Sequence, residues 1–179
     1  MKHTRLVSVG LACFAAGAIA QGGLAQARKP AYTPELVKGK AATEAASVLL
    51  EGALQLAEGG SWERIAVGRA WYLGGDKSKG QEIFDQVTSS KRVEDSDWFR
   101  VGRVYAEAGE WDKAQAAFDR ALTMNAGDDS GMIEYGALAN VNNDRARAEA
   151  LFDKVMKRKP REFWHWVNAG GSYLGVRPQ

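Results

Sequence analysis

Few residues in this chain of 179 could carry out chemistry. Its histidines are His3 and His165, and its single cysteine is Cys13. Residues 1–27 are predicted to be removed, which leaves His165 and no thiol. Neither a cysteine–histidine pair nor a multi-histidine metal site can then be assembled. We expect His165, which lies between two tryptophans, to pack in the fold, and we predict no catalytic residue, metal or cofactor.

Two pairs of acids have a simpler interpretation than paired-carboxylate catalysis. Asp95 and Asp97, and likewise Asp128 and Asp129, fall at the boundaries of a repeating unit. Acids at such positions cap helices and complement the positive end of the helix dipole. No phosphate-binding glycine loop is present in the sequence. An enzyme with an unrecognised site is an alternative, but the scarcity of histidine and thiol groups does not favour it.

The helices that must position these residues are indicated by a sequence pattern that repeats every 34 residues. Glycine recurs at this spacing at Gly68, Gly102, Gly136 and Gly170, and phenylalanine at Phe84, Phe118 and Phe152. A fixed period of this length is typical of stacked helix pairs, in which each pair buries its remaining apolar face against the next. A small residue on the first helix lets the second helix approach, and an aromatic side chain fills the space beside it.

The period divides the chain into an N-terminal region, three full units and a half-unit. Thr33 and Pro34 are predicted to start a helical region that runs to Glu58 as one helix or two, because a hydroxyl N-cap followed by proline is a helix-start signal. Trp166 falls in the core register of the half-unit and is expected to be buried. The predicted boundaries are a lead and degenerate helical repeat or cap at 28–60, repeats at 61–94, 95–128 and 129–162, and a capping half-repeat at 163–179.

The units resemble the tetratricopeptide repeat family. The resemblance covers residues 61–162 and the half-unit after them, and it is fullest in the second unit, at Trp98, Val101, Gly102, Tyr105, Gly109, Ala114, Phe118 and Ala121. It implies an all-α, right-handed α-solenoid of antiparallel helix pairs. It also implies that the first helices line a concave groove and that the protein binds proteins or peptides.

Groove residues follow from the resemblance, position by position. Arg69 and Arg103 occupy equivalent places on neighbouring first helices, with Phe99 close by. Arginine offers a planar fork of donors suited to carboxylates, and an aromatic side chain can serve as an anchor. A partner with an acidic or C-terminal carboxylate segment is therefore one hypothesis; the other is that the arginines are solvated or paired with acids such as Glu63, Glu107 or Glu134. The predicted groove residues are Ile65, Arg69, Tyr72, Phe99, Arg103, Ile133 and Asn140.

The last helix is expected to present an apolar edge, because no further repeat covers it. Trp164 is the residue we predict to be exposed there, where it would suit docking or self-association. A structural or assembly subunit that self-associates is therefore an alternative function to a binding adaptor.

The N-terminus indicates export. A basic start at Lys2, His3 and Arg5 precedes an apolar run, and small residues allow cleavage after Ala20 or, as we favour, after Ala27. We therefore predict a protein of a bacterial-type periplasm, or a secreted one, without stable membrane insertion after cleavage; an uncleaved anchor is the alternative.

Charge argues against a nucleic-acid partner. Without residues 1–27 the chain keeps 22 of its 24 basic residues, which match its 22 acidic ones. Nucleic-acid binding depends largely on phosphate neutralisation by basic residues. A protein or peptide is the partner that we expect.

Overall fold

The computed structural model describes residues 30–178. Within that range a single 3-10 turn at Pro34–Leu36 is followed by eight α-helices and no strand. The helices are α1 Ala42–Leu56, α2 Ser61–Leu73, α3 Lys77–Thr88, α4 Asp95–Glu107, α5 Trp111–Met124, α6 Asp129–Val141, α7 Arg145–Met156 and α8 Phe163–Tyr173.

Three helix pairs form the body of the protein. The helices α2 and α3, α4 and α5, and α6 and α7 pack closely within each pair, and α8 packs on α6. The first helices α2, α4, α6 and α8 begin at Ser61, Asp95, Asp129 and Phe163, 34 residues apart. The chain is an all-α helical repeat solenoid.

Acids at the turns start several helices. The carboxylates of Asp76, Asp128 and Asp144 accept hydrogen bonds from backbone N–H groups three residues later, at 3.0, 2.9 and 3.3 Å. Asp97 accepts a bond of 3.0 Å from the backbone N–H of Glu94 at the start of α4. Each bond satisfies a donor that a helix end leaves open, and such a cap contributes about 1 kcal/mol.

The recurrent glycines let the two helices of each pair touch. A Cβ atom added to Gly102 would lie 2.6 Å from the ring of Phe118, which is closer than real Cβ contacts. The same holds in the other two pairs, with 2.6 Å from Gly68 to Phe84 and 2.7 Å from Gly136 to Phe152. Each phenylalanine ring therefore fills the space that its glycine leaves.

Aromatic rings link neighbouring units through the core. The ring of Phe118 lies 4.8 Å from that of Tyr135 in the next unit, and Tyr105 meets Phe84 of the preceding unit edge to face at 5.9 Å. All four side chains are buried. Burial of a large apolar side chain stabilises a fold by about 1.5–3 kcal/mol. These rings therefore join the pairs into one body.

The N-terminal region starts at Pro34, with Thr33 in the N-cap position, and is helical in two segments. Thr33 makes no side-chain cap bond, and the helical segment breaks at Gly39, whose φ of 74° is left-handed. The result is one 3-10 turn and the single α-helix α1. The predicted signal peptide at 1–27 lies outside the described residues. Within the described range no helix is long and apolar enough to cross a membrane.

The C-terminal region corrects a second prediction. Trp166, expected in the core, has 60% of its surface exposed, and its indole N–H donates to the carbonyl of Pro160 at 2.9 Å. The reason is that no second helix packs on this face of α8 within the described chain. His165 points the other way and is buried.

Candidate functional site

An open cleft of about 530 Å³ runs between α2 and α4 on the face formed by the first helices. Its lining is partly apolar, from Trp62, Ala66 and Val104, and partly charged. The charged side chains are Glu63, Arg69, Arg100, Arg103 and Glu107. A second cleft of about 510 Å³ adjoins it and shares Arg103 and Glu107. The two clefts form a continuous surface that reaches α6 and the C-terminal residues Arg177 and Pro178.

Two arginines of this surface are already paired with acids. Arg69 on α2 binds Glu107 on α4 with both sides of its guanidinium fork, one bond being 2.8 Å from Nε to Oε2. Arg103 on α4 binds Glu134 on α6 in the same way. The hydrogen bonds that Arg103 donates to the carboxylate of Glu134 raise the pKa of Arg103. Both arginines therefore cross-link neighbouring first helices, as in the paired alternative of the sequence analysis.

Arg100 is different, because it stacks on an aromatic ring. Its guanidinium carbon lies 3.4 Å from the centre of the Trp62 ring, and its Nη1 donates to the carbonyl of Ser96 at 3.0 Å. No carboxylate of the described residues lies within ion-pair distance of it. Burial, with the positive charge of Arg103 next, lowers the pKa of Arg100. The site therefore holds a cation whose charge is not compensated by an ion pair.

Four of the predicted groove residues belong to the core. Ile65, Tyr72, Phe99 and Ile133 expose 4% of their surface or less, so the expectation that they present side chains to a partner is corrected. The ring of Phe99 shows the reason, since it reaches Gly131 at the start of α6 and lies 5.6 Å from the ring of Phe118. These positions face the neighbouring helices, where apolar side chains are buried.

The other predicted residues are not all in one place. Arg69 and Arg103 line the cleft. Asn140 is half-buried and donates to the hydroxyl of Ser172 at 3.0 Å, which ties α6 to α8. Trp164 is 56% exposed and lies on α8, where it packs edge to face on Phe163. Trp164 therefore belongs to a different surface from the cleft.

Trp62 was missed by the sequence analysis, and its contact follows a spacing rule. Trp62 and Arg100 are 38 residues apart, and so are the hydrogen-bonded pairs Arg69 with Glu107 and Tyr72 with Glu110. This spacing is one repeat plus one helical turn, so it connects neighbouring first helices and the turn that follows. Complementary residues at this offset are therefore the sequence signal for such a contact.

The structure adds little in favour of catalysis. His165 is only 4% exposed, and no group of three metal-binding side chains occurs in the described range.

An array of helix pairs with an open cleft along its first helices is the architecture of a helical-repeat interaction protein. The family model for the tetratricopeptide repeat matches residues 96–128, which hold nearly all of α4 and all of α5. These residues form a tetratricopeptide repeat, and repeats of this family generally mediate protein–protein interaction. Its members are typically scaffolds without catalytic activity. No curated protein and no solved structure matches the chain.

Proposed function

We propose that this protein is a binding adaptor that holds a segment of a partner protein in the cleft between α2 and α4. The stacked pair of Trp62 and Arg100 is the observation that carries the proposal. It combines an exposed aromatic surface with a cation that has no ion-pair partner in the described chain. Tryptophan and arginine are the residue types that most often dominate protein interfaces.

The apolar part of the cleft supports an anchor side chain on the partner. Trp62 is 58% exposed, although its indole ring is among the most costly surfaces to leave in water. Ala66 and Val104 line the cleft beside it and leave room above its floor. An apolar side chain of the partner would cover the free part of the Trp62 ring.

The charge of Arg100 supports a carboxylate beside that anchor. An anion near Arg100 would oppose the two influences that lower its pKa, burial and the charge of Arg103. A guanidinium fork suits a carboxylate. The partner segment therefore carries an acidic side chain or a free C-terminus. Arg69 and Arg103 assist from their places in the same cleft, because in the described structure their Nη1 groups form no hydrogen bond.

Selection from a displayed library of short peptides with free C-termini would test this function. Peptides enriched on the wild-type protein should bind Trp62→Ala and Arg100→Gln about tenfold more weakly or worse, since interface anchors contribute more than 1 kcal/mol each. Arg100→Lys should recover only part of the loss, because lysine keeps the charge without the planar fork. Isothermal titration calorimetry would give the affinities.

Matched variants on other surfaces serve as controls. Arg145 also lies over an aromatic ring, 5.2 Å from the centre of Tyr173, and Trp164 is as exposed as Trp62. Arg145→Gln and Trp164→Ala should leave peptide affinity unchanged. If the selected peptides bound Trp62→Ala and Arg100→Gln as tightly as wild type, the cleft would not be the binding site. Equal binding of amidated and free-acid peptides without acidic residues would remove the carboxylate from the proposal.

We also propose that the protein works outside the cytoplasm, in a bacterial-type periplasm, after removal of residues 1–27. The basic start, the apolar run and the small residues before position 28 support this location. Intact-mass measurement of the protein expressed with its full N-terminus in a bacterial host should give a chain that begins at Arg28. A full-length mass in the cytoplasmic fraction would contradict the proposal.

A further inference from the structure

One face of α8 is apolar and open along its whole length. Phe163, Val167 and Leu174 expose 66%, 43% and 84% of their surface, and Trp166 and Tyr173 flank them. Phe163 lies three residues before Trp166 and four before Val167, and Tyr173 and Leu174 follow these two by seven residues. This spacing places all five on one side of the helix. The equivalent positions of α4 are largely covered by the second helix of its own pair and by neighbouring units, with Phe99 4% and Ala106 1% exposed.

Gly170 shows what kind of element is missing from this face. The three equivalent glycines of the full units each lie against a phenylalanine ring of a second helix, within 2.6–2.7 Å of an added Cβ. A Cβ added to Gly170 would meet nothing within 4 Å. The helix α8 thus has the face of a first helix, and no second helix covers it in the described chain.

The helix α1 is a second helix without a first helix to pack on in the described range. Its register is that of a second helix, and it packs on α2 as α3 packs on α4. No residue of α1 is buried, and Leu49 exposes 43% of its surface. No α-helix of the described range occupies the place of its first helix; the 3-10 turn and Pro30 lie alongside it instead. The apolar positions of α1, namely Ala46, Leu49, Leu50 and Ala53, correspond to the buried Gly80, Ile83, Phe84 and Val87 of α3.

We propose that copies of this chain associate head to tail, with α1 of one copy packing on the open face of α8 of another. Leu50 of the first copy then occupies the space at Gly170 that Phe84, Phe118 and Phe152 occupy at the other glycines. The two helices complete a repeat, and the helical stack continues from one copy into the next. Such a contact uses two different surfaces, so it closes into a ring or extends as a filament.

Sedimentation of the purified protein over a range of concentrations tests the association. Wild type should show a mass that rises with concentration, and Gly170→Arg should raise the dissociation constant about tenfold or more, since its side chain fills the contact. Gly170→Arg should leave the monomer folded, because the position is open. Leu50→Glu, which changes the α1 surface, should raise the dissociation constant by a similar factor. Since Leu50 is half-buried, Leu49→Glu provides a second variant at a more exposed position.

Mixing the variants distinguishes head-to-tail packing from a symmetric contact. Gly170→Arg keeps an intact α1, and Leu50→Glu keeps an intact α8. Each variant alone should be monomeric, while an equimolar mixture should form a one-to-one dimer and nothing larger. A mixture that stays monomeric while wild type associates would overturn the proposal, and so would wild-type protein that stays monomeric at all concentrations.

The cleft and the ends are separate surfaces, so the two proposals can fail independently. Trp62→Ala should leave the sedimentation of the protein unchanged.

Discussion

The helices α4 and α8 carry the same key residues in the same register, yet those residues have opposite environments. Trp98, Gly102 and Tyr105 of α4 correspond to Trp166, Gly170 and Tyr173 of α8. Tyr105 is 7% exposed and Tyr173 48%. Gly102 lies against a ring, and Gly170 faces open space. The comparison shows that the repeat pattern specifies a face suited to burial, while the neighbouring helices decide whether it is buried.

The two tyrosines should give the largest contrast in stability. Tyr105 packs edge to face on Phe84 and on Tyr72, and its hydroxyl donates to Gln81 at 2.9 Å. Tyr105→Ala should reduce the free energy of unfolding by about 3–5 kcal/mol, as other buried aromatic truncations do. Tyr173→Ala should cost about 1 kcal/mol or less, because half of the side chain is already in water.

Urea unfolding at a concentration where the protein is monomeric would measure both values. Equal losses for the two variants would show that the open face of α8 is covered in solution even in the monomer.

Replacing Gly102 or Gly170 by alanine should change stability in opposite directions. Gly102→Ala places a methyl group 2.6 Å from the enclosed ring of Phe118, so overpacking should lower stability by about 1–3 kcal/mol. Gly170→Ala meets nothing and should raise the stability of the monomer by up to about 1 kcal/mol through helix propensity. Thermal unfolding followed by circular dichroism would show a fall in Tm for the first variant and a rise for the second. A rise for both would mean that Phe118 can move aside.

The turn after α4 should give the smallest effect, and it depends on pH. Glu110 binds Lys113 at 2.7 Å, Lys77 at 2.5 Å and the hydroxyl of Tyr72 at 2.6 Å. The hydrogen bond from Lys113, followed by those from Lys77 and Tyr72, lowers the pKa of Glu110 from 4.5 to about 2. A carboxylate with a lowered pKa stabilises the fold above its unfolded pKa, and this contribution is lost as the pH falls through the folded value.

Glu110→Gln tests this at the turn between α4 and α5, where Glu110 contacts Tyr72 and Lys77 of the preceding unit. Wild type should be more stable than the variant at pH 5 to 7, and the difference should shrink as the pH falls towards 2. Because the group is solvent-accessible, the difference is expected to be small. Denaturant unfolding at a series of pH values would show it, and a difference that stays constant from pH 5 to pH 2 would contradict the interpretation.

Part of the proposed binding surface could be predicted from the sequence. The resemblance gave the correct helices and located Arg69 and Arg103, but it placed Phe99 and Ile133 in a groove instead of the core. The error arose because a position on the first-helix face can point to solvent or to the next unit, and the repeat register does not distinguish them. Trp62 was not found because its contact with Arg100 crosses units at an offset of 38, one turn beyond the period.

The sequence alone determined the period, the helix pairs and the resemblance to the repeat family, because these depend on contacts within a repeat that recur at fixed spacing. Only the tertiary structure decided which of the equivalent residues are buried, and which arginine has no carboxylate of the described residues within ion-pair distance. Those properties depend on the neighbours of each helix. Trp98 and Trp166 hold the same place in the pattern, and only one of them has a second helix packed beside it.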